Sequence, residues 1–351
     1  MLHGGDIYGH KDLMDKAREG LFLDFSVNTN PLGMPCQVKA AIRDHVEDYH
    51  RYPDPSCRAL RAALAGYLGI SENRICCGNG AADLIFRLCL VRKPQQALIC
   101  APAFSEYERA VTLSGGRVIF HPLEEANGFV LDSRFLEQIR RDLDMVFLCN
   151  PNNPTGRLID PDLLAEILRR CRDFHILLVV DECFLPFTYA RSLVELMEDL
   201  GPSLVVLRAF TKTFSLAGLR IGYLLSSDEA LINAVAGTGQ CWSVSAPAQT
   251  AALAALGCLP WLEQSREIIE AERPFLSGEL RGLGFTVFDS DANFLLFRSD
   301  VPLLNSLIAK GILIRNCGNF YGLDERYYRC CVKQRAQNEG LITALREVLH
   351  G

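Results

Sequence analysis

No stretch of this 351-residue chain is apolar for long enough to cross a bilayer. No internal repeat or low-complexity tract interrupts it, and no two cysteines have the C-x-x-C spacing of a zinc or redox site. Positive charge is also in short supply: 36 Lys and Arg stand against 42 Asp and Glu, a net charge of −6. That balance excludes a surface built to neutralise nucleic-acid phosphates. Nothing at the N-terminus reads as a signal peptide. The fourteen cysteines fall largely in apolar runs such as Ala97-Leu-Ile-Cys100 and Val146-Phe-Leu-Cys149. They are expected as reduced core residues of a cytoplasmic protein, not as disulfides or metal ligands. What is present, 49% apolar and 22% charged residues, is the balance of a globular chain with room for one large and one smaller domain.

Short β-rich apolar runs alternate with longer helical patterns, which predicts a doubly wound α/β domain with a mainly parallel sheet covered on both faces. Strands are expected at 97–100, 145–149, 176–180, 203–207 and 221–225, with helices at 83–91, 105–114 and 161–173. From about residue 253 the pattern changes to a long charged helix, then short strands at 285–288, 293–298, 312–315 and 327–332, and a closing helix at 337–349. The expected division is a large domain over 31–252 and a smaller α+β domain made of 1–30 and 253–351.

Between Lys93 and Lys310 there is a single lysine, Lys212, in Arg208-Ala-Phe-Thr-Lys212-Thr-Phe-Ser215, followed by Ala217-Gly-Leu-Arg220-Ile-Gly222. An amine bonds covalently to an aldehyde only when deprotonated, which partial burial or a nearby cation such as Arg220 would favour. A surface lysine after a buried strand has the same local pattern, so the other strand ends decide. Open α/β sheets place ligands at the carboxyl ends of their strands. Asp181-Glu182 follows Ile176-Leu-Leu-Val-Val180, and an acid ending a buried strand needs a cationic partner, unless Asp181 only caps a helix and Glu182 is exposed. Asn150-Pro-Asn-Asn153-Pro-Thr-Gly156 is a rigid turn rich in amides. Gly78-Asn-Gly80-Ala81-Ala82-Asp83 lets an anion approach a helix start. Phe104, in Ala101-Pro-Ala-Phe104-Ser-Glu-Tyr107, is placed either to stack on a planar ring or to fill core.

Taken together, these segments resemble the fold-type I pyridoxal-phosphate enzymes of the aspartate aminotransferase superfamily, in the histidinol-phosphate aminotransferase branch, over nearly the whole chain. The resemblance implies pyridoxal 5'-phosphate as cofactor, with Lys212 as its covalent attachment point, Asp181 as partner of the ring nitrogen, Asn153 as donor to the phenolic oxygen and Phe104 stacked on the ring. It places the cofactor phosphate on Gly80, Ala81, Ala82, Thr211 and Arg220, joined by Tyr52 from the other subunit of a homodimer. Two positions depart from the aminotransferase pattern. Phe184 stands where a tyrosine hydroxyl is usual, and Ala209 where a hydroxyl residue is frequent.

Within the branch, the chain resembles the threonine-phosphate decarboxylases of cobalamin biosynthesis. The similarity rests on His3-Gly-Gly-Asp6, Leu23-Asp-Phe-Ser-Val-Asn28-Thr-Asn-Pro-Leu-Gly33, Phe184, Trp242-Ser-Val and the run from Ile312-Leu-Ile-Arg315 through Tyr327-Tyr-Arg329. Two arginines at strand positions can receive a substrate with two anionic groups. By resemblance, Arg329 holds a carboxylate and Arg315 a phosphate, with His3, Asn28 and Asn153 completing the pocket. The implied reaction is decarboxylation of L-threonine O-3-phosphate, with phosphorylated-amine transamination against 2-oxoglutarate as the alternative. The remaining histidines, His10, His45, His50, His121, His175 and His350, have no partner pattern and are expected at the surface or in packing roles.

Overall fold

The computed structural model describes residues 3–9, 11–197 and 201–350. Its centre is a seven-stranded sheet of β2 (Ile75–Gly78), β3 (Gln96–Ala101), β4 (Arg117–Pro122), β5 (Met145–Cys149), β6 (Leu177–Asp181), β7 (Leu204–Ala209) and β8 (Gly222–Leu225), in the spatial order β2-β8-β7-β6-β5-β3-β4. The pairs β3–β4, β3–β5, β5–β6 and β6–β7 are parallel, while β8 runs antiparallel to both of its neighbours. The expected strands are all present. Two further strands, β2 and β4, complete the sheet.

Alternation along the strands sorts their side chains into two cores. Leu98, Val146, Leu148, Leu178, Val180, Leu204 and Val206 pack on one face, and Ile99, Met145, Phe147, Leu177, Val179, Val205 and Leu207 on the other. Burial on both faces explains why these runs are continuously apolar instead of alternating. The helix Pro161–Asp173 starts where Asp160 accepts the N–H groups of Asp162 and Leu163, both at 3.0 Å, with proline at the first helical position. That pairing is why its bounds were readable from sequence.

Beyond the 24-residue helix Leu259–Gly282, a four-stranded antiparallel sheet forms from β9 (Thr286–Val287), β10 (Phe294–Arg298), β12 (Arg315–Asn316) and β13 (Tyr327–Cys331), in the order β12-β13-β10-β9. Phe25, Leu276, Phe297, Tyr328 and Leu345, the last from the closing helix Arg335–His350, share its core. The N-terminal segment is tied to this part: β1 (Leu23–Asp24) pairs parallel with β11 (Ile312–Leu313), and the Cys331 N–H donates to the Phe25 carbonyl. The same segment then turns to the large sheet. The Asn30 N–H donates to the Lys212 carbonyl at 3.0 Å, and the Asn30 side chain to Thr213 O at 2.8 Å. Residues 23–30 therefore connect the C-terminal sheet to the turn that carries Lys212. Among the described residues, no helix is long and apolar enough to cross a membrane.

Candidate active site

A cleft of about 410 Å³ opens at the carboxyl ends of the central strands, a size in the usual range for small-molecule sites. Lys212, Asp181, Asn153, Phe104, Ala81, Ala82, Thr211, Arg220, His3, Asn28, Arg315 and Arg329 all line it. Gly80 is the first residue of the helix Gly80–Arg92, whose Ala81 and Ala82 form part of the wall. Tyr52 lies apart from the cleft of its own chain; it is 79% exposed and stacks on Trp242 at 4.4 Å.

Lys212 occupies the helical turn Phe210–Thr213 immediately after β7. Burial lowers its pKa from 10.5 to about 8, and the charge of Arg329 acts in the same direction, more strongly than that of Arg220. The nearby cation expected from sequence is thus supplied chiefly by the C-terminal sheet. The amine lies 6.0 Å from the centre of the Phe184 ring, which packs edge-on against Phe294. In the apoprotein, reductive alkylation of Lys212 by a small aldehyde should rise about tenfold per pH unit below 8 and level off above it. The exposed lysines should keep gaining reactivity toward pH 10, a contrast that peptide mapping by mass spectrometry reads directly. The sign for stability is the same: between about pH 8 and 10.5 the unfolded chain binds more protons than the folded one at this amine. Apoprotein stability from this group therefore rises with pH across that window.

Asp181 ends β6, with Cys149 and Leu207 as its neighbours on β5 and β7. Its carboxylate accepts the Cys183 N–H at 2.9 Å and the Tyr107 hydroxyl at 2.7 Å. The alternative of an exposed Glu182 does not hold. Glu182 is fully buried and accepts from Arg208, Ser192 and the Leu193 N–H. In the turn after β5, Asn150 and Asn152 bond within the protein, to Ile159 N–H and to Pro102 O and Thr155. Asn153 faces the cleft, and its carbonyl oxygen accepts from Arg329, which leaves the amide N–H₂ as its donor toward the cavity.

At one end of the cleft, the helix Gly80–Arg92 presents its first N–H groups beside Arg220 and Thr211. Gly80 has φ +79°, a backbone conformation that favours glycine, and the Arg220 guanidinium lies 2.6 Å from where a Cβ would stand. A helix N-terminus, a guanidinium and a threonine hydroxyl together suit a phosphate. On the wall supplied by the C-terminal sheet, Arg315 and Arg329 are direct partners across the β12–β13 pair and are both almost fully buried. Arg315 donates to Asn316 O at 2.6 Å and Asn319 Oδ1 at 2.5 Å, and Arg329 donates to Asn153 Oδ1 and Ser26 O. Burial pulls the Arg315 pKa down to about 10, with the Arg329 charge adding to it against the opposing Cys317 thiol. Asn28 is 1% exposed, and among the described residues neither its amide oxygen nor its nitrogen has a hydrogen-bond partner; the Nε of Arg329 also lacks one there. Unsatisfied buried polar atoms on the wall of a cationic cleft are what an anionic polar ligand would satisfy.

The N-terminal His3-Gly-Gly segment closes one side. The Gly5 N–H donates to Ser26 Oγ at 2.7 Å, and a Cβ on Gly4 would come within 2.2 Å of Ser26 O, so only glycine lets the backbone pass. His3 then reaches Glu106, with Nε2 3.2 Å from Oε1. Glu106, Tyr107, Ser26, Asn319 and Phe320 were not singled out from the sequence although all line the cleft. For Glu106 and Tyr107 the signal was available, since they begin the helix Glu106–Leu113 just after Phe104. His45, His50, His175 and His350 are exposed, His121 is buried edge-on to Phe135, and His10 lies outside the described residues. All fourteen cysteines are free thiols, most of them buried.

Comparison with known proteins agrees with this geometry. Residues 22–345 match the family model for aminotransferase class I and II. The threonine-phosphate decarboxylase of Salmonella typhimurium is 39% identical over 99% of this chain and 97% of its own. The crystal structure of L-threonine-O-3-phosphate decarboxylase from Porphyromonas gingivalis superposes with a TM-score of 0.82 at 27% identity, covering 93% of this chain and 99% of that one. Histidinol-phosphate aminotransferase from Sinorhizobium meliloti, in complex with pyridoxal-5'-phosphate, gives 0.83 at 25% identity over 95% and 93%. Backbone shape does not separate these two activities, and the distinction falls to the side chains of the cleft. On the family match over residues 22–345 and the 39% identity to the Salmonella enzyme, the chain belongs to the aminotransferase class I and II family, on the pyridoxal-phosphate fold.

Proposed function

We propose that this protein decarboxylates L-threonine O-3-phosphate to (R)-1-aminopropan-2-yl phosphate and carbon dioxide, with pyridoxal 5'-phosphate as cofactor, as a step of cobalamin biosynthesis. The observation that carries this reading is the pair of buried guanidinium groups, Arg315 and Arg329, facing the same cleft as Lys212 and Asp181, with an Asn28 amide that has no partner among the described residues. A substrate with a phosphate and a carboxylate gives each arginine one anion, and planar guanidinium forks suit both.

The residues present fit the cofactor. Gly80, Ala81, Ala82, Thr211 and Arg220 would hold its phosphate, Asp181 would face its ring nitrogen, the Asn153 amide would donate to its phenolic oxygen, and Phe104 would cover its ring. When bound, pyridoxal phosphate supplies an aldehyde for amines and a cationic ring that accepts the electron pair released at Cα. Lys212, partly neutral near pH 8, is the amine suited to bond the aldehyde and to be displaced by the substrate's own amine. Arg329 would grip the carboxylate and Arg315 the phosphate, with His3 and Asn28 completing the enclosure. Which bond at Cα breaks is then a matter of how these contacts orient the substrate. As the carboxylate leaves as carbon dioxide, one proton must replace it at Cα, and Lys212 is the group assigned to deliver it.

Phe184 and the His3 segment favour this reaction over transamination of histidinol phosphate. Incubation with threonine phosphate and no keto acid should release carbon dioxide; strict dependence on 2-oxoglutarate would overturn the assignment. We also propose a homodimer in which Tyr52, exposed and stacked on Trp242, enters the partner's cleft at the phosphate end. The free thiols suit a reducing compartment, in keeping with the cytoplasm.

A further inference from the structure

The Asp181 carboxylate meets a local donor on one oxygen and a distant one on the other. Oδ1 takes the Cys183 N–H, which follows from the chain turning directly after β6, whereas Oδ2 takes the Tyr107 hydroxyl, 74 residues away in sequence. Tyr107 is 1% exposed, stacks on Phe147 with centroids 5.2 Å apart and planes at 15°, and meets Phe104 edge-on at 5.7 Å. A phenylalanine would satisfy both ring contacts and would avoid burying a hydroxyl, so packing alone does not account for the phenol.

We propose that Tyr107 is a positioning residue of the cofactor site: its hydroxyl fixes the Asp181 carboxylate while its ring fixes Phe104. One side chain thereby sets both the acid and the aromatic face that the cofactor ring meets. Burial and the neighbouring Asp181 push the phenol's pKa well up, so the hydroxyl stays a donor. Cys149 and Cys183 also surround the pair, and burial holds both thiols in the neutral form. The inference rests on the pyridoxal-phosphate reading and is independent of the substrate.

The test is the affinity of the apoprotein for pyridoxal phosphate, measured by fluorescence titration, together with the pH midpoint of the holoenzyme's visible absorption. In Tyr107→Phe the dissociation constant should rise about ten- to a hundredfold, the effect expected of one hydrogen bond to a charged group. The absorption midpoint should move as well, with the apoprotein's melting temperature held. In an Asp181→Asn background the same substitution should change affinity by no more than about twofold, because its route of action is already gone. If Tyr107→Phe does not fold, 3-fluorotyrosine at position 107 keeps the shape with a more acidic hydroxyl and should move the midpoint the opposite way. An unchanged affinity and midpoint in Tyr107→Phe, or an equal loss in the Asp181→Asn background, would overturn the inference while leaving the cofactor assignment standing. A wild-type protein that takes up no pyridoxal phosphate would instead sink both.

Discussion

Lys212→Ala lowers turnover of threonine phosphate by at least about three to four orders of magnitude, since it removes a covalent nucleophile and a proton donor together. The loss is not one of fold. Lys212 makes its backbone contact to Asn30 through its carbonyl, which alanine keeps, and removing a buried cation beside Arg329 and Arg220 relieves like-charge repulsion. Pyridoxal phosphate should still bind through the cradle at the start of the helix Gly80–Arg92, but reversibly, so that borohydride reduction no longer fixes it to the protein. Lys212→Arg should not rescue turnover, because a guanidinium cannot become a neutral nucleophile in a protein. A ligand-binding protein that merely retained the fold would tolerate either change. The two readouts are the rate of carbon dioxide release and the mass of the reduced protein.

Arg315→Met should give the second largest effect, and a selective one. Removing a buried charged partner of a substrate anion costs about 2–5 kcal/mol, or roughly 30- to several thousandfold in kcat/KM. The loss should appear for threonine phosphate and be small for unphosphorylated L-threonine, since Arg315 is assigned the phosphate. Methionine fills similar volume and removes a guanidinium that burial already disfavours, but the bonds to Asn316 O and Asn319 Oδ1 go with it, so denaturant unfolding should show a modest destabilisation of about 1–2 kcal/mol. Arg329→Lys should hit both substrates alike, because it keeps a charge but loses the fork that bonds Asn153 and Ser26. Equal losses for the two substrates in Arg315→Met would reassign that arginine.

Much of this molecule was legible in sequence because strands buried on both faces leave continuous apolar runs, and the residue after each run is where chemistry collects. Asp181 and Asn153 are read in that way, Lys212 from its isolation among the lysines, and all three line one cleft. The helix Gly80–Arg92 begins three residues before the expected start: Gly78-Asn-Gly80 reads as a turn, yet Gly80, held at φ +79°, is already the first residue of the helix. The antiparallel course of β8 leaves no local mark, because its residues are as apolar as those of a parallel strand. Contacts between distant segments were out of reach. That Arg329 acts on Lys212 more strongly than Arg220, that Tyr107 bonds Asp181, and that Glu106 meets His3 all follow from tertiary packing. The pair Arg315 and Arg329 was visible as two strand arginines, but their direct register depends on the turn between β12 and β13.

The most direct measurement is the product formed by purified holoenzyme given threonine phosphate as its only substrate, with mass spectrometry of the phosphorylated amine and quantification of the gas released. The expected result is 1-aminopropan-2-yl phosphate and carbon dioxide in equal amounts, with no keto acid added or consumed. Unchanged threonine phosphate, or a 2-oxo acid product that forms only when 2-oxoglutarate is supplied, would contradict it.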